Sequence, residues 1–223
     1  MMISLSNKQV LAPKFITLTQ DPGKMMTKLT NSFFNRADVV AISREMIGKL
    51  LVTKFDGTLT SGRIVETEAY NGIVDKASHA YGGKRTKRTE PMFREGGFAY
   101  VYLCYGIHHL FNVVTNLQGI PHAVLVRAIE PVAGVETMMH RMKKSTLDTS
   151  VGRGPGNVSK ALGISSLHTG QPLNGDISIW QDDFVVGEIE SGPRIGVGYA
   201  AEDALLPYRF YLRGNPFVSG NKR

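Results

Sequence analysis

Glu66, Glu68 and Tyr70 alternate with Thr67 and Ala69 in the run Glu-Thr-Glu-Ala-Tyr. In an extended strand, residues two apart share a face, so this spacing sets two carboxylates and a phenol side by side. Two ionised neighbours repel; either one becomes a perturbed acid or base, or a cation lies between them. A solvent-facing polar row is the alternative, and these residues alone leave both open. Arg127 is one source of a cation. It interrupts the apolar run Ala123 to Ile129, and a permanently charged guanidinium is not buried there without an acid or a phosphate. Glu66, Glu68 or a nucleic-acid phosphate would satisfy it, as would an outward-facing place on an edge strand.

Aromatic and basic residues supply the next pattern. Phe98 to Val114 is dense in Tyr, Val, Leu and Phe with Gly106 inside it, which predicts a β-hairpin. A loop at Gly106 to His108 sets Tyr102 opposite Asn112 and leaves Tyr105 beside the turn. A tyrosine face with an amide that both donates and accepts would suit a purine, by stacking and by edge hydrogen bonds. Stacking is worth about 1–3 kcal/mol per base, comparable with the few lost when a base leaves the duplex. Tyr105 at a hairpin tip could fill the gap left behind. Tyr100 reads as a plain strand former.

Lys76, Lys84, Arg85, Lys87, Arg88 and Arg94 precede this hairpin, against Asp75, Glu90 and Glu95. Such a loop suits phosphates, or is an ordinary solvated surface. His79 within it could stack on a base or donate a hydrogen bond. Gly152-Arg-Gly-Pro-Gly lacks the Lys-Ser/Thr of a phosphate loop, and Pro155 has no amide hydrogen. His108 and His109 lack a companion metal-ligand motif and read as turn residues. Cys104 has no evident activating neighbour and reads as a small strand residue.

The chain that must position these groups has 223 residues, 42% of them hydrophobic, and a net charge of +7. That suffices for a substantial core and favours a polyanionic partner over an acidic one. One cysteine forms no intrachain disulfide, and no zinc-ligand spacing occurs, so a reducing compartment and no structural metal are expected. Residues 1–28 lack periodicity and any apolar run of signal or membrane-span length, and are expected to form a loosely ordered extension of an intracellular protein. Met25-Met26 is a candidate second start.

Asp38 can cap a helix beginning at Val39. Leu50 to Phe55 and Thr58 to Tyr70 flank Asp56-Gly57 as a hairpin. Residues 71–97 form a loop or several short elements. A strand over Ala123 to Ile129 is followed by a helix opened at Pro131, with Val135, Met138, Met139 and Met142 on its buried face. A short helix near Val158 to Leu162 precedes strands through Trp180, Val185, Ile195 and Phe210. This is an α+β pattern: one mixed domain over 29–223, with a curved, largely antiparallel sheet, a protruding hairpin and flanking helices.

In order along the chain, RIVETEAY, HAYGGKRTKR, MF, YVYLCYG, FNVV and VLVRAIEP resemble the alkyladenine (3-methyladenine) DNA glycosylase family, and RIGVGYA and RFYLRGNP extend the likeness. The resemblance implies a monofunctional enzyme of base excision repair that flips a damaged purine from double-stranded DNA and hydrolyses its bond to deoxyribose, without metal or other cofactor. It implies Glu68 as general base, Arg127 as its helper in placing the water, Tyr70, His79 and Tyr102 as the base sandwich, Asn112 as a screen for the purine edge, and Tyr105 as the intercalating residue. Thr89 departs from the asparagine common in the family at that point. The expected protein is monomeric. A non-catalytic nucleic-acid-binding domain and a nucleoside or RNA-base hydrolase are the alternatives that the residues leave open.

Overall fold

The computed structural model describes residues 26–220. Short β-branched and aromatic runs separated by turn residues give nine strands in this span. They are β1 (Thr27–Lys28), β2 (Leu50–Phe55), β3 (Thr58–Tyr70), β4 (Ala99–Cys104), β5 (His108–Thr115), β6 (His122–Ala133), β7 (Ile177–Gln181), β8 (Ile189–Gly192) and β9 (Arg209–Leu212). All pair antiparallel in one sheet, in the order β1-β7-β2-β3-β6-β5-β4, with β9 on β3 and β8 outside β9. The helices are α1 (Asn31–Phe34), α2 (Val39–Glu45), α3 (Val135–Met142) and α4 (Pro155–Leu162). The fold is the expected single α+β domain. Of the proposed second start only Met26 lies within the described residues, and most of the proposed extension lies outside them; Thr27 and Lys28, counted with that extension, pair with Gln181 and Trp180.

β3 organises the sheet. Its 13 residues are long enough to take β2 and then β9 along one edge while β6 covers the other. The β2–β3 turn works as its sequence requires: Asp56 and Gly57 take φ 50° and 78°, and Phe55 pairs with Thr58. Asp38 caps α2 by accepting from the amides of Val40 and Ala41, each at 2.9 Å. The main core gathers Phe34, Ile42 and Met46 against Phe111, Val126 and Met138, with Met139 and Met142 packed at its edge.

Four sequence expectations are corrected. The β4–β5 loop is Tyr105 to Ile107, not Gly106 to His108, so Tyr102 faces Leu110 and Asn112 faces Tyr100. The cause is Tyr105 itself, which takes a left-handed φ of 50° next to Gly106 at 73° and starts the turn one residue early. His108 and His109 therefore open β5 rather than form the turn. Pro131 lies inside β6, at a register shift that tolerates its missing amide hydrogen, and α3 begins after Gly134. Val185 and Ile195 lie outside every strand; Val185 is 87% exposed, and the Ile195 amide bonds a side chain instead of a ladder.

No helix among the described residues is long and apolar enough to cross a membrane.

Candidate active site

The middle of β3 departs from regular pairing. Ile64 pairs with Ile129, Glu66 with Ala128 and Thr67 with Val126, so Val65 and Arg127 are left unpaired on the two strands. Bulges of this kind re-aim side chains. Thr67 points toward α2, where it donates to the Ser43 carbonyl at 2.8 Å, and Ala69 joins the core. Glu66, Glu68 and Tyr70 take the other face as the alternation requires, and the Arg127 guanidinium turns onto both acids, 3.3 Å from each.

Both carboxylates are fully buried, and each is held by more than Arg127. Glu66 also accepts from Arg209 Nε at 2.6 Å and from the Ser219 amide at 2.8 Å. Glu68 accepts at Oε1 from the Ile195 amide at 2.7 Å and at Oε2 from the Tyr70 hydroxyl at 2.8 Å. Burial disfavours the Arg127 charge, and Glu68 and Glu66 more than offset it, so its pKa lies above the ordinary arginine value. Burial, then the charge and hydrogen bond of Glu68, push Tyr70 well above the usual phenol range, so its hydroxyl stays a donor.

A cleft of about 590 Å³ opens beside the acids, with Tyr70, Leu125 and Arg127 among the residues that line it; Glu66 and Glu68 do not line it, and Tyr70 and Arg127, which bond Glu68, do. A second pocket of about 30 Å³ shares Tyr70, His79 and Tyr102 with the cleft and adds Asn112. Three of these come from different segments: Tyr70 ends β3, Tyr102 lies on β4, and the His79 ring meets the Tyr102 ring edge-on at 4.6 Å. Asn112 is buried beside them, its amide nitrogen donating to the carbonyls of Tyr100 at 3.1 Å and Leu110 at 3.2 Å. Tyr100, read above as a strand former only, is part of the support: its hydroxyl meets His79 Nδ1 at 2.8 Å. Burial, then Arg88 and Lys84, lower the His79 pKa to about 4, so the ring is neutral near pH 7.

Tyr105 stands at the hairpin tip, 91% exposed, with Ile107 at 72% beside it. The basic loop is less free than its composition suggests. Lys76 pairs with Glu202, Arg85 with Glu90, and Arg94 donates to the Gly170 carbonyl at 2.6 Å. Lys84 and Lys87 are exposed, and the Arg88 guanidinium lies 5.0 Å from the Tyr102 ring centre. Thr89 is buried and pins the loop, accepting from the Thr86 amide at 2.8 Å and donating to the Lys84 carbonyl at 2.9 Å.

Several contributors carried no local signal. Gly154, Pro155 and Gly156, from the run set aside as a phosphate loop, cap and begin α4 and, with Asn157, border the cleft. Tyr199 lines both cavities and donates to the Ala77 carbonyl at 3.1 Å. Arg194 forms a buried ion pair with Asp75, 119 residues earlier in the chain. Only RIGVGYA and RFYLRGNP, taken as motifs, drew attention to the segments bearing Ile195, Tyr199 and Arg209.

Residues 32–216 match the family described as methylpurine-DNA glycosylase (MPG). A Chlamydia felis protein is 45% identical over 185 residues, covering 82% of this chain and 95% of its own length. A Desulfitobacterium hafniense protein is 42% identical over 203 residues (87% and 99%), and one from Natranaerobius thermophilus is 44% identical over 198 residues (87% and 100%). All three carry the provisional name 3-methyladenine DNA glycosylase. With 185 aligned residues at 45% identity and a matching family profile, the chain belongs to the methylpurine-DNA glycosylase family.

Proposed function

We propose that the protein flips an alkylated purine out of duplex DNA into the pocket between Tyr70, His79 and Tyr102 and hydrolyses its N-glycosidic bond, with Glu68 as general base. The observation that carries this reading is the state of the Glu68 carboxylate. It takes three polar contacts, from the Ile195 amide, Arg127 and the Tyr70 hydroxyl. A carboxylate offers about four acceptor positions, which leaves Oε2 one for a water.

As the bond to the base lengthens, positive charge grows on the sugar. The buried Glu68 carboxylate, beneath a floor that includes Tyr70 and Arg127, stabilises that charge and takes the proton of the attacking water. A purine already cationic through alkylation leaves as a neutral base and needs no acid. Arg127 fixes the carboxylate and helps place the water. Neutral His79 and the two tyrosines stack on the extruded base, Asn112 borders its edge, and Tyr105 fills the vacated duplex position. Lys84, Lys87 and Arg88 meet the flanking phosphates. No lysine lines the cleft among the described residues, which favours hydrolysis over a Schiff base and therefore excision without strand cleavage.

Duplexes carrying one methylated purine, ethenoadenine or hypoxanthine, incubated with the protein and heated in alkali, test this. Wild type yields a break at the lesion, while Glu68→Gln binds the same duplex and leaves it intact. Excision by Glu68→Gln refutes the assignment of the base; inactivity of the wild type on methylated, deaminated and etheno purines refutes the enzyme.

A further inference from the structure

We propose that Asp75 and Arg194 act as one positioning unit for base excision, an ion pair that fixes the Tyr70 wall, the His79 loop and the backbone donor on Glu68 relative to one another. The inference rests on the glycosylase reading above.

Neither side chain reaches solvent: Arg194 is 0% exposed and Asp75 1%. Arg194 Nη1 donates to Asp75 Oδ2 at 2.5 Å and to the Ala69 carbonyl at 2.9 Å; Nη2 donates to Asp75 Oδ1 at 2.8 Å and to the Asp203 carbonyl at 3.1 Å. Asp75 in turn accepts from the amides of Asn71 at 3.0 Å and Ala77 at 2.9 Å. Asn71 directly follows Tyr70, and Ala77 is two residues before His79. One carboxylate thus clamps both ends of the segment joining two walls of the base pocket.

The guanidinium reaches the other parts of the site. It lies 4.9 Å from the centre of the Tyr70 ring and, unlike that ring, lines neither cavity, so it backs Tyr70 on the side away from the base. The Ala69 carbonyl it holds sits in β3 between Glu68 and Tyr70. The residue after it, Ile195, supplies the amide bound to Glu68 Oε1 at 2.7 Å.

Net stability is a poor account of such a pair. Desolvation of two buried charges roughly cancels their attraction, and apolar residues of equal volume commonly serve a core as well. Arg194 Nε is moreover buried without a hydrogen-bond partner. A two-pronged guanidinium–carboxylate contact does supply direction, because the planar fork fixes distance and angle together. Here it fixes three elements that converge on one reacting bond.

Arg194→Lys, Asp75→Asn and the double variant are compared with wild type in three measurements: single-turnover excision of ethenoadenine at saturating enzyme, binding to a duplex bearing a tetrahydrofuran abasic analogue, and thermal unfolding. The analogue has no base to place in the pocket, so it reports grip on the duplex alone. Misplacement of about 1 Å costs up to about 100-fold in rate, so each single variant is expected to be about 10- to 100-fold slower. The double variant is expected to be no slower than the slower single, because the pair works as a unit. Analogue affinity stays at the wild-type value, since phosphate contacts supply it.

Folded variants that excise at the wild-type rate overturn the positioning role. A loss of analogue affinity equal to the loss of rate overturns it too, since it would mean general loosening. Multiplying losses in the double variant overturn the unit. Should Arg194→Lys fail to fold, Asp75→Asn, which keeps the shape and one acceptor, is read against the same criteria. A wild type that binds the analogue but is inactive on methylated, deaminated and etheno purines alike overturns the glycosylase reading itself, and active, unaltered variants overturn only this inference.

Discussion

Glu66→Gln separates the charge balance beneath the cleft from the chemistry above it. Glu66 is fully buried and accepts from Arg209 Nε at 2.6 Å, the Ser219 amide at 2.8 Å and Arg127 Nε at 3.3 Å. Together with Glu68 it sets two carboxylates against two guanidiniums. Glutamine keeps the shape but removes one negative charge and turns one acceptor into a donor. If its oxygen stays on Arg209, its NH2 faces the Ser219 amide, donor against donor.

Removing one partner of a buried, hydrogen-bonded pair costs about 3–5 kcal/mol, and the Arg209 side chain, 14% exposed, places this case near about 3. A domain of this size loses about 2–4 °C per kcal/mol, so the unfolding midpoint should fall by about 6–12 °C. Circular dichroism melts of the two proteins measure this directly. Adding Arg209→Met to Glu66→Gln removes the unpaired cation and should recover part of the loss. A drop under about 2 °C for the single variant, or a double variant less stable than the single, refutes the charge-balance reasoning.

Two further outcomes follow from the pocket and the hairpin tip. The fold lowers the His79 pKa to about 4, against roughly 6.5 unfolded, so the unfolded chain takes this proton first. The group therefore costs no stability above about pH 6.5 and progressively more as pH falls toward 4; an imidazole NMR titration with a midpoint above 6 would refute the neutral stacking ring. Tyr105→Ala removes a side chain that is 91% exposed, so thermal stability should be unchanged. Lesion-duplex affinity should fall by about 5- to 160-fold, as expected for about 1–3 kcal/mol of stacking, and unaltered affinity would exclude the side chain from the duplex.

The parts of the fold legible in sequence are those governed by local rules. Alternation set the face of Glu66, Glu68 and Tyr70, Asp56-Gly57 located its own turn, and the spacing of Met138, Met139 and Met142 marked the buried side of α3. What escaped was decided by single backbone choices or by distant partners. Tyr105 accepts a positive φ, which favours glycine, and this one angle shifted the register of Tyr102 and Asn112. The unpaired place of Arg127 in β6 depends on how β3 and β6 meet, which neither strand specifies alone. Arg194 opens RIGVGYA, but Asp75 lies 119 residues earlier and outside every motif, so their contact exists only once the chain has folded.

The same site shows where local rules are broken and why the breaks belong together. A central strand buried on both faces ordinarily carries apolar residues, yet β3 holds Glu66 and Glu68 at its middle with no solvent contact. Among the described residues the buried charged side chains are Glu66, Glu68, Asp75, Arg127 and Arg194. None is scattered elsewhere in the core. Arg127 ties the two glutamates together, Arg194 ties Asp75 to the β3 backbone, and the Ile195 amide closes the circuit onto Glu68. Each charge alone would be costly in a core, and each pairs with another member of this set, Glu66 also with the part-buried Arg209. Departures from sequence pattern that compensate one another in one place, beside one cleft, are what a fold retains when placement of a carboxylate matters more than net stability.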